Sequence, residues 1–120
     1  MNRKWILAVT VCSAMLAADS AVMQARKKIA DKKYDEAITQ LETQLKAKAE
    51  PDAKKALSEA YLGKADSYMY NESLPPREKY PPALRAYREA LKHDKTNKKA
   101  EAGIASIEGV YKQMGRPIPQ

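Results

Sequence analysis

Hydrophobic and polar positions recur along most of this chain with the period of an α-helix. The pattern is clearest in the segment Tyr80–Asn97, where apolar or small residues fall three and four positions apart and form one helical face. These residues are Ala83, Leu84, Tyr87, Ala90 and Leu91. Pro81 and Pro82 stand where the first helical turn is expected, because a missing N–H costs nothing there. The segment is therefore predicted to be an amphipathic helix that must bury one face against other helices.

The same periodicity predicts four further helices. Their expected ranges are Val22–Ala30, Tyr34–Ala49, a long helix that follows Asp52 and runs to about Tyr70, and Lys98–Met114. The polar stretch Asn71–Lys79 is predicted to be a loop, since it holds two adjacent prolines. Asp52 is expected to cap the start of the third helix, and Gly115 is expected to end the last helix.

Composition agrees with an all-α fold of one domain. The chain has 120 residues, which suffice for one small domain, and it contains only four Gly. No run of alternating Val, Ile or Thr suggests a sheet. Ala, Lys, Glu and Leu are abundant, and these residues favour helix over strand.

The first 21 residues differ in kind from the rest. Arg3 and Lys4 precede a mostly apolar run of 14 residues from Trp5 to Ala18, and small or polar residues follow. This order is typical of a secretory signal peptide, with cleavage expected after Ser20 or Ala21. The alternative is a membrane anchor that stays attached, but a spanning helix needs about 20 apolar residues. The chain is therefore predicted to be exported in a bacterium, periplasmic or secreted, without a stable membrane span after cleavage.

The mature chain is expected to be basic and free of thiols. Cys12, the only cysteine, leaves with the leader, so no disulfide, Cys metal site or cysteine nucleophile remains. Cleavage removes two basic residues and one acidic residue and leaves 20 against 14, a net charge of +6. This charge would attract the protein to an anionic surface, such as a glycolipid or a wall polymer. Alternatively, the charged residues only form a solvated surface. The solvated surface is favoured because lysines are scattered singly and in pairs; nucleic acid is not expected, since no aromatic-basic platform occurs.

No set of residues is arranged for catalysis. The single histidine, His93, precedes Asp94, but it stands at a predicted helix end between Lys92 and Lys95, with no second ligand and no serine nucleophile. The four glycines are isolated and form no phosphate loop. One His and no Cys in the mature chain argue against a metal site. The prediction is a non-enzyme with no metal and no cofactor.

Two segments of the chain repeat one another. Lys32–Asp52 and Glu78–Asn97 both place Tyr, then Ala three residues on, a large apolar residue four after that, and Leu a further four on. The matching residues are Tyr34, Ala37, Leu41 and Leu45 in the first copy, and Tyr80, Ala83, Tyr87 and Leu91 in the second. This pattern resembles the second helix of a tetratricopeptide repeat (TPR), and Ala60-Tyr61-Leu62 resembles the first-helix motif in the expected phase.

The resemblance covers residues 22–114 and implies a fold. It implies tandem antiparallel helix hairpins, a TPR-like right-handed solenoid fragment with a C-terminal capping helix, followed by a tail over residues 115–120. The implied repeat-packing positions are Tyr34, Ala37, Leu41, Ala60, Ala83, Tyr87, Ala90 and Leu91. Ala37 and Ala83 are 46 residues apart rather than the 34 of a standard repeat, so the helix between them is expected to be prolonged. An unrelated helical bundle is the alternative.

The resemblance also implies a function, which is a non-catalytic protein–protein interaction or scaffold module in the cell envelope. Family members commonly hold an extended peptide or another protein on the face lined by first helices, and the matching positions here are Lys55, Glu59, Leu62 and Lys99. A second candidate surface is the prolonged segment, whose aromatic and proline residues lose little entropy on binding: Tyr68, Tyr70, Pro75, Pro76 and Tyr80. Alternatively, these tyrosines cover the core. The expected partner is a protein or a second copy, and the alternative function is a basic surface protein that binds an anionic glycolipid or wall polymer.

Overall fold

The computed structural model describes residues 20–120, and within this range the chain forms five α-helices and no β-strand. The first helix, α1, covers residues 20–30. It is followed by α2 (Tyr34–Ala47), α3 (Pro51–Met69), α4 (Pro76–His93) and α5 (Lys98–Met114). The prediction of an all-α fold is therefore confirmed. The expected signal peptide lies outside the described residues, except for Ser20 and Ala21, which belong to α1.

Helices that follow one another in the chain pack side by side. α2 packs on α3, α3 on α4, and α4 on α5, with the most extensive contact between α3 and α4. The connections are only three to six residues long, so neighbouring helices run antiparallel. Arg26 of α1 forms an ion pair with Glu59 of α3, which places these two helices beside each other as well. Among residues 20–120, no helix combines the length and the hydrophobicity that a membrane span requires.

The buried side chains form two clusters. The N-terminal cluster joins α1, α2 and the first half of α3, and its members are Val22, Ala25, Ala37, Ile38, Leu41, Ala53, Ala56, Leu57 and Ala60. The C-terminal cluster joins the second half of α3 to α4 and α5, and its members are Ala65, Ala83, Leu84, Ala86, Tyr87, Ala90, Ala100, Ile107 and Tyr111. Tyr61 packs against both clusters and connects them.

Most of the expected repeat-packing positions lie inside these clusters. Six of the eight are buried, namely Ala37, Leu41, Ala60, Ala83, Tyr87 and Ala90. The two alanines at equivalent places in the repeated segments, Ala37 and Ala83, are both 0% exposed. Tyr34 and Leu91 are half-buried at the edges of the core.

The start of α4 corrects the predicted loop over Asn71–Lys79. The helix begins at Pro76, and only residues 70–75 are non-helical. A proline is favourable at the first helical position because its missing N–H would be unpaired there in any case. The prediction for Pro81 and Pro82 was therefore also wrong, since both lie inside α4 rather than in its first turn.

The helix ends are set by local chemistry. The prediction that Asp52 caps α3 was wrong. Glu50 is the N-cap, Pro51 is the first helical residue, and Asp52 lies in the first turn. A carboxylate in that turn is still favourable because it faces the positive end of the helix dipole. Asn97 caps α5 through Oδ1, which accepts a hydrogen bond from the Ala100 N–H. Gly115 ends α5 in the left-handed conformation, with φ of 65°, as predicted.

Candidate functional site

A groove follows α3 on the sides that face α2 and α4. It consists of two depressions, one of about 480 Å³ toward α2 and one of about 190 Å³ toward α4. Lys64 and Tyr68 line both depressions, and Tyr61 lines the second. These three residues fall on one face of α3, because they are three and four positions apart. We call this surface the α3 groove.

The walls of the α3 groove come from the neighbouring helices. Tyr34 and Asp35 of α2 bound the larger depression. Pro82, Arg85 and Glu89 of α4 bound the smaller one. The α3 groove therefore presents aromatic rings together with both signs of charge, which suits a polar peptide more than a purely apolar ligand.

Polar contacts fix the α3 side chains between α2 and α4. Lys64 Nζ lies 2.7 Å from Asp35 Oδ1. The hydroxyl of Tyr61 donates a hydrogen bond of 2.8 Å to Glu42 Oε1 on α2, and its ring stacks on the imidazole of His93 on α4, with ring centroids 5.7 Å apart. The side chains of the groove thus have partners within the fold, because Lys64 contacts α2 and Tyr61 contacts both neighbouring helices.

Close packing of an aromatic ring on a glycine shapes the larger depression. The ring of Tyr34 lies directly against Gly63 of α3, so that a Cβ atom at this position would overlap the ring. Only glycine leaves enough space for this ring position. The result is an aromatic wall at the point where α2 begins.

Two tyrosines near the groove act as hydrogen-bond donors. Burial raises the pKa of Tyr61, and its hydrogen bond to Glu42 raises the pKa further. Burial likewise raises the pKa of Tyr87, whose hydroxyl donates to Asp66 Oδ1. Both phenols are therefore protonated at neutral pH, because a free tyrosine already titrates only near 10.

His93 is a packing residue at the end of α4. Burial lowers its pKa below the ordinary 6.5, Lys92 acts in the same direction, and Glu89 opposes them. Its Nε2 atom lies 3.7 Å from Glu89 Oε2. The imidazole is therefore mostly neutral at neutral pH and serves as a flat surface for the Tyr61 ring.

The positions implied by the family's binding face do not come together in one site. Glu59 is engaged in the ion pair with Arg26, and Leu62 packs against the C-terminal cluster. Lys55 lines a depression of about 300 Å³ between the start of α3 and the end of α4. Lys99 is exposed in the first turn of α5. These four residues point to several surfaces rather than to one.

The tyrosine and proline set divides into two groups. Tyr68 lines the α3 groove, and Tyr70 is 74% exposed just beyond it. Pro75 and Pro76 are exposed at the start of α4. Tyr80 packs against the C-terminal cluster with its ring edge-on to Tyr111, so it covers the core.

Of the residues that line the α3 groove, the sequence prediction assigned only Tyr68 to a binding surface. Those it missed include Tyr34 (assigned to packing alone), Tyr61, Lys64 and Arg85. The spacing of Tyr61, Lys64 and Tyr68 was a usable signal, because it places all three on one face of α3. The contribution of α2 and α4 carried no such signal, since it depends on how the helices pack.

Antiparallel packing gathers lysines at one end of the domain. The α2–α3 and α4–α5 connections lie together there, and Pro51, Lys54, His93 and Thr96 line a common depression. Eight lysines belong to this end, namely Lys46, Lys48, Lys54, Lys55, Lys92, Lys95, Lys98 and Lys99. Six carboxylates lie at or near the same end, namely Glu42, Glu50, Asp52, Glu89, Asp94 and Glu101. We call this surface the basic end.

Comparisons with protein-family models, with curated proteins and with solved structures find no match for this chain. Among residues 20–120, no three His, Cys, Asp or Glu side chains come together in a way that would hold a metal ion.

Proposed function

We propose that this chain is a non-catalytic protein-binding or scaffold module of the TPR type. Two hairpins, α1–α2 and α3–α4, are followed by α5 as the cap. The likeness is supported by Ala37 and Ala83, which hold equivalent places in the two hairpins and are both fully buried. The ion pair between Arg26 and Glu59, which joins the first helices of the two hairpins, supports it as well.

The observation that carries the proposal is the α3 groove. The groove is lined by Tyr61 and Tyr68, whose rings supply contact area at little cost in conformational entropy. Lys64 and Arg85 offer donors to backbone carbonyls or carboxylates of a bound chain. Asp35 and Glu89 offer acceptors for backbone N–H groups or basic side chains. We infer that the groove binds a polar segment of a protein partner or of a second copy.

The proposed location is the periplasm or the exterior of a bacterial cell. Support comes from the basic start and the apolar run of 14 residues at the beginning of the sequence. Fractionation of expressing cells, with mass spectrometry of the purified protein, tests this directly. A protein that begins at Ala21 or Val22 supports export, whereas a full-length protein in the cytoplasm contradicts it.

Site-directed photo-cross-linking tests binding at the α3 groove. A photoreactive amino acid replaces Ser67, an exposed residue on the rim of the groove, or Gln113, an exposed residue of α5, in the otherwise complete chain. We expect a discrete adduct from position 67 and none from position 113. An adduct of twice the protein's mass identifies a second copy as the partner.

Charge reversal serves as the matched control for this experiment. Lys64→Glu changes the floor of the groove, while Lys112→Glu makes the same change on the exposed surface of α5. The adduct from position 67 is expected to disappear with Lys64→Glu and to persist with Lys112→Glu. Equal adducts from both positions, or none from position 67 in cells that contain the folded protein, would refute the proposal.

A second candidate function is the binding of an anionic glycolipid or wall polymer, and the basic end favours it. Lysines that are scattered along the sequence belong to one end of the fold, with eight of them against six carboxylates. Only Lys48 and Lys98 form ion pairs within this set, at 3.9 Å to Glu50 and 3.3 Å to Glu101. The remaining lysines at this end are available to phosphate or carboxylate groups of a polymer.

Vesicle binding at varied salt concentration separates the two candidates. Vesicles of phosphatidylglycerol are the anionic probe, and vesicles of phosphatidylcholine are the control. Binding through the basic end is expected to weaken steeply with added salt. The double change Lys54→Glu and Lys55→Glu should abolish it, while the matched pair Lys27→Glu and Lys28→Glu at the opposite end should weaken it much less. This function is excluded if binding is absent, if it does not change with salt, or if both pairs of substitutions weaken it equally.

A further inference from the structure

The segment Arg116–Gln120 folds back over the surface of the domain. Gly115 takes the left-handed conformation, and the Arg116 N–H donates to the Tyr111 carbonyl at 3.0 Å, which closes the turn after α5. Because this turn ends the helix, the following residues can run back along the helices. The sequence of the segment, Arg-Pro-Ile-Pro-Gln, cannot form a helix, since prolines occupy alternate positions.

Two contacts hold the segment in place. Ile118 packs against the C-terminal cluster and is half-buried. Arg88 of α4 donates through Nη1 to the Pro119 carbonyl at 3.0 Å. One contact is made by an aliphatic side chain and the other by a backbone carbonyl, so neither requires that the segment belong to the same chain.

We propose that the surface around Arg88 is a docking site for an extended peptide of the form Pro-aliphatic-Pro carried by a protein partner. The chain's own segment Arg116–Gln120 occupies this site in the absence of the partner. Prolines on both sides of the aliphatic residue restrict the free peptide, and they therefore reduce the entropy lost on binding. This surface is distinct from the α3 groove and from the basic end.

The segment Arg116–Gln120 is suited to exchange with a peptide of the partner. Beyond the turn at Gly115–Arg116, the half-buried side chains of Ile118 and Pro119 and one hydrogen bond form a small set of contacts, and the segment lacks the internal hydrogen bonds of a helix. A tethered segment of this kind competes with a free peptide, because the site is open for only a fraction of the time. Displacement by a partner would couple binding to release of the segment.

A synthetic peptide tests the proposal. The probe is Gly-Arg-Pro-Ile-Pro-Gln, acetylated and amidated, added to the isotope-labelled full chain and followed by amide chemical shifts. Ile118→Asp, which removes the aliphatic contact of the resident segment, is expected to bind the probe at least about tenfold more tightly than the unchanged protein. Shifts should centre on the α4 residues around Arg88.

Two arginines of α4 provide the matched control. In the Ile118→Asp background, Arg88→Gln should remove the gain in affinity, whereas Arg77→Gln, at the exposed start of α4, should leave it. A folded Ile118→Asp protein that does not respond to the probe overturns the proposal. So does an equal response to a probe in which Asp replaces the central Ile.

A second measurement covers the case in which Ile118→Asp does not fold. In the full chain with Arg88→Gln alone, nuclear Overhauser contacts between the Ile118 side chain and the C-terminal cluster should weaken, while the amides of α4 keep their protection from hydrogen exchange. If the Ile118 contacts are unchanged, Arg88 does not hold the segment and the proposed site is refuted.

Discussion

At the scale of single residues, one hydroxyl group joins three helices near the basic end. Ser58 of α3 donates a hydrogen bond of 2.7 Å to the Ala90 carbonyl of α4. The same hydroxyl accepts a hydrogen bond of 2.9 Å from Asn97 Nδ2, and Asn97 also caps α5. Ser58 is 1% exposed, so water cannot easily replace either bond.

Removal of this hydroxyl should therefore destabilise the fold. We expect Ser58→Ala to lower the free energy of unfolding by about 1–3 kcal/mol, because the Asn97 amide loses its buried acceptor. The control is Ser67→Ala, which removes an exposed hydroxyl bonded within its own helix and should change stability by less than about 0.5 kcal/mol. Urea unfolding followed by circular dichroism measures both values, and equal losses would contradict the role assigned to Ser58.

The imidazole of His93 should make stability depend on pH. Burial lowers its pKa below 6.5, so the folded protein binds this proton less readily than the unfolded chain. The free energy of unfolding should therefore fall as the pH decreases through the range below 6.5. Between about pH 7.5 and pH 5.5 we expect the urea midpoint to fall further in the unchanged protein than in His93→Gln. Parallel pH profiles of the two proteins would show that His93 contributes nothing.

At the scale of the helices, the contact between α4 and α5 depends on a residue without a side chain. A Cβ atom at Gly103 would lie 2.5 Å from the ring of Tyr87. This ring cannot move aside easily, because Tyr87 is 2% exposed and its hydroxyl is bonded to Asp66. Gly109, on the same helix, has no neighbouring atom within 4 Å of such a Cβ atom.

Replacing Gly103 or Gly109 with alanine should change the free energy of unfolding in opposite directions. Gly103→Ala is expected to destabilise the protein by about 1–3 kcal/mol, because the new methyl group forces α4 and α5 apart. Gly109→Ala should stabilise it by about 0.5–1 kcal/mol, since alanine is the better helix former where space is open. Thermal and urea unfolding of both variants measure the difference. A loss of stability at Gly109 would show that α5 packs differently.

Prolines inside α4 should weaken that helix. Pro81 and Pro82 lack the N–H groups that would bond to the carbonyls of Arg77 and Glu78. We expect Pro81→Ala to raise the free energy of unfolding by about 1–3 kcal/mol. Pro76→Ala is the control, and it should have a small effect because proline is favourable at the first helical position. Unfolding by urea compares them, and a destabilised Pro81→Ala protein would mean that the proline ring contributes essential packing.

The sequence predicted the helices better than it predicted their starts. The apolar period located α2, α3 and α5 closely, because burial of one helix face dictates that period. The prediction failed at the start of α4. By local rules alone, this helix could begin either at Pro76 or at Pro81–Pro82. The choice depends on packing that local rules cannot see, such as the ring of Tyr80 against Tyr111. The groove and the basic end were less predictable still, because each collects residues from several helices.

At the scale of the whole molecule, Tyr61 connects the N-terminal and C-terminal clusters of the core. It packs against both clusters, bonds to Glu42 on α2 and stacks on His93 on α4. A chain of stacked helical units unfolds as one body only if the interfaces between neighbours are strong enough. The cooperativity of this protein should therefore depend strongly on this one side chain.

Tyr61→Ala should uncouple the two halves of the molecule. The N-terminal cluster is built from small and aliphatic side chains, while the C-terminal cluster also contains Tyr87 and Tyr111, so the N-terminal half is the weaker partner. In the variant, amides of α1 and α2 should exchange with a lower opening free energy than those of α4 and α5, whereas in the unchanged protein the two sets should agree. Tyr61→Phe keeps the ring and loses only the exposed bond to Glu42, so its halves should stay coupled. Equal losses of protection in both halves of Tyr61→Ala would mean that other contacts couple the two halves, namely those of the long α3–α4 interface.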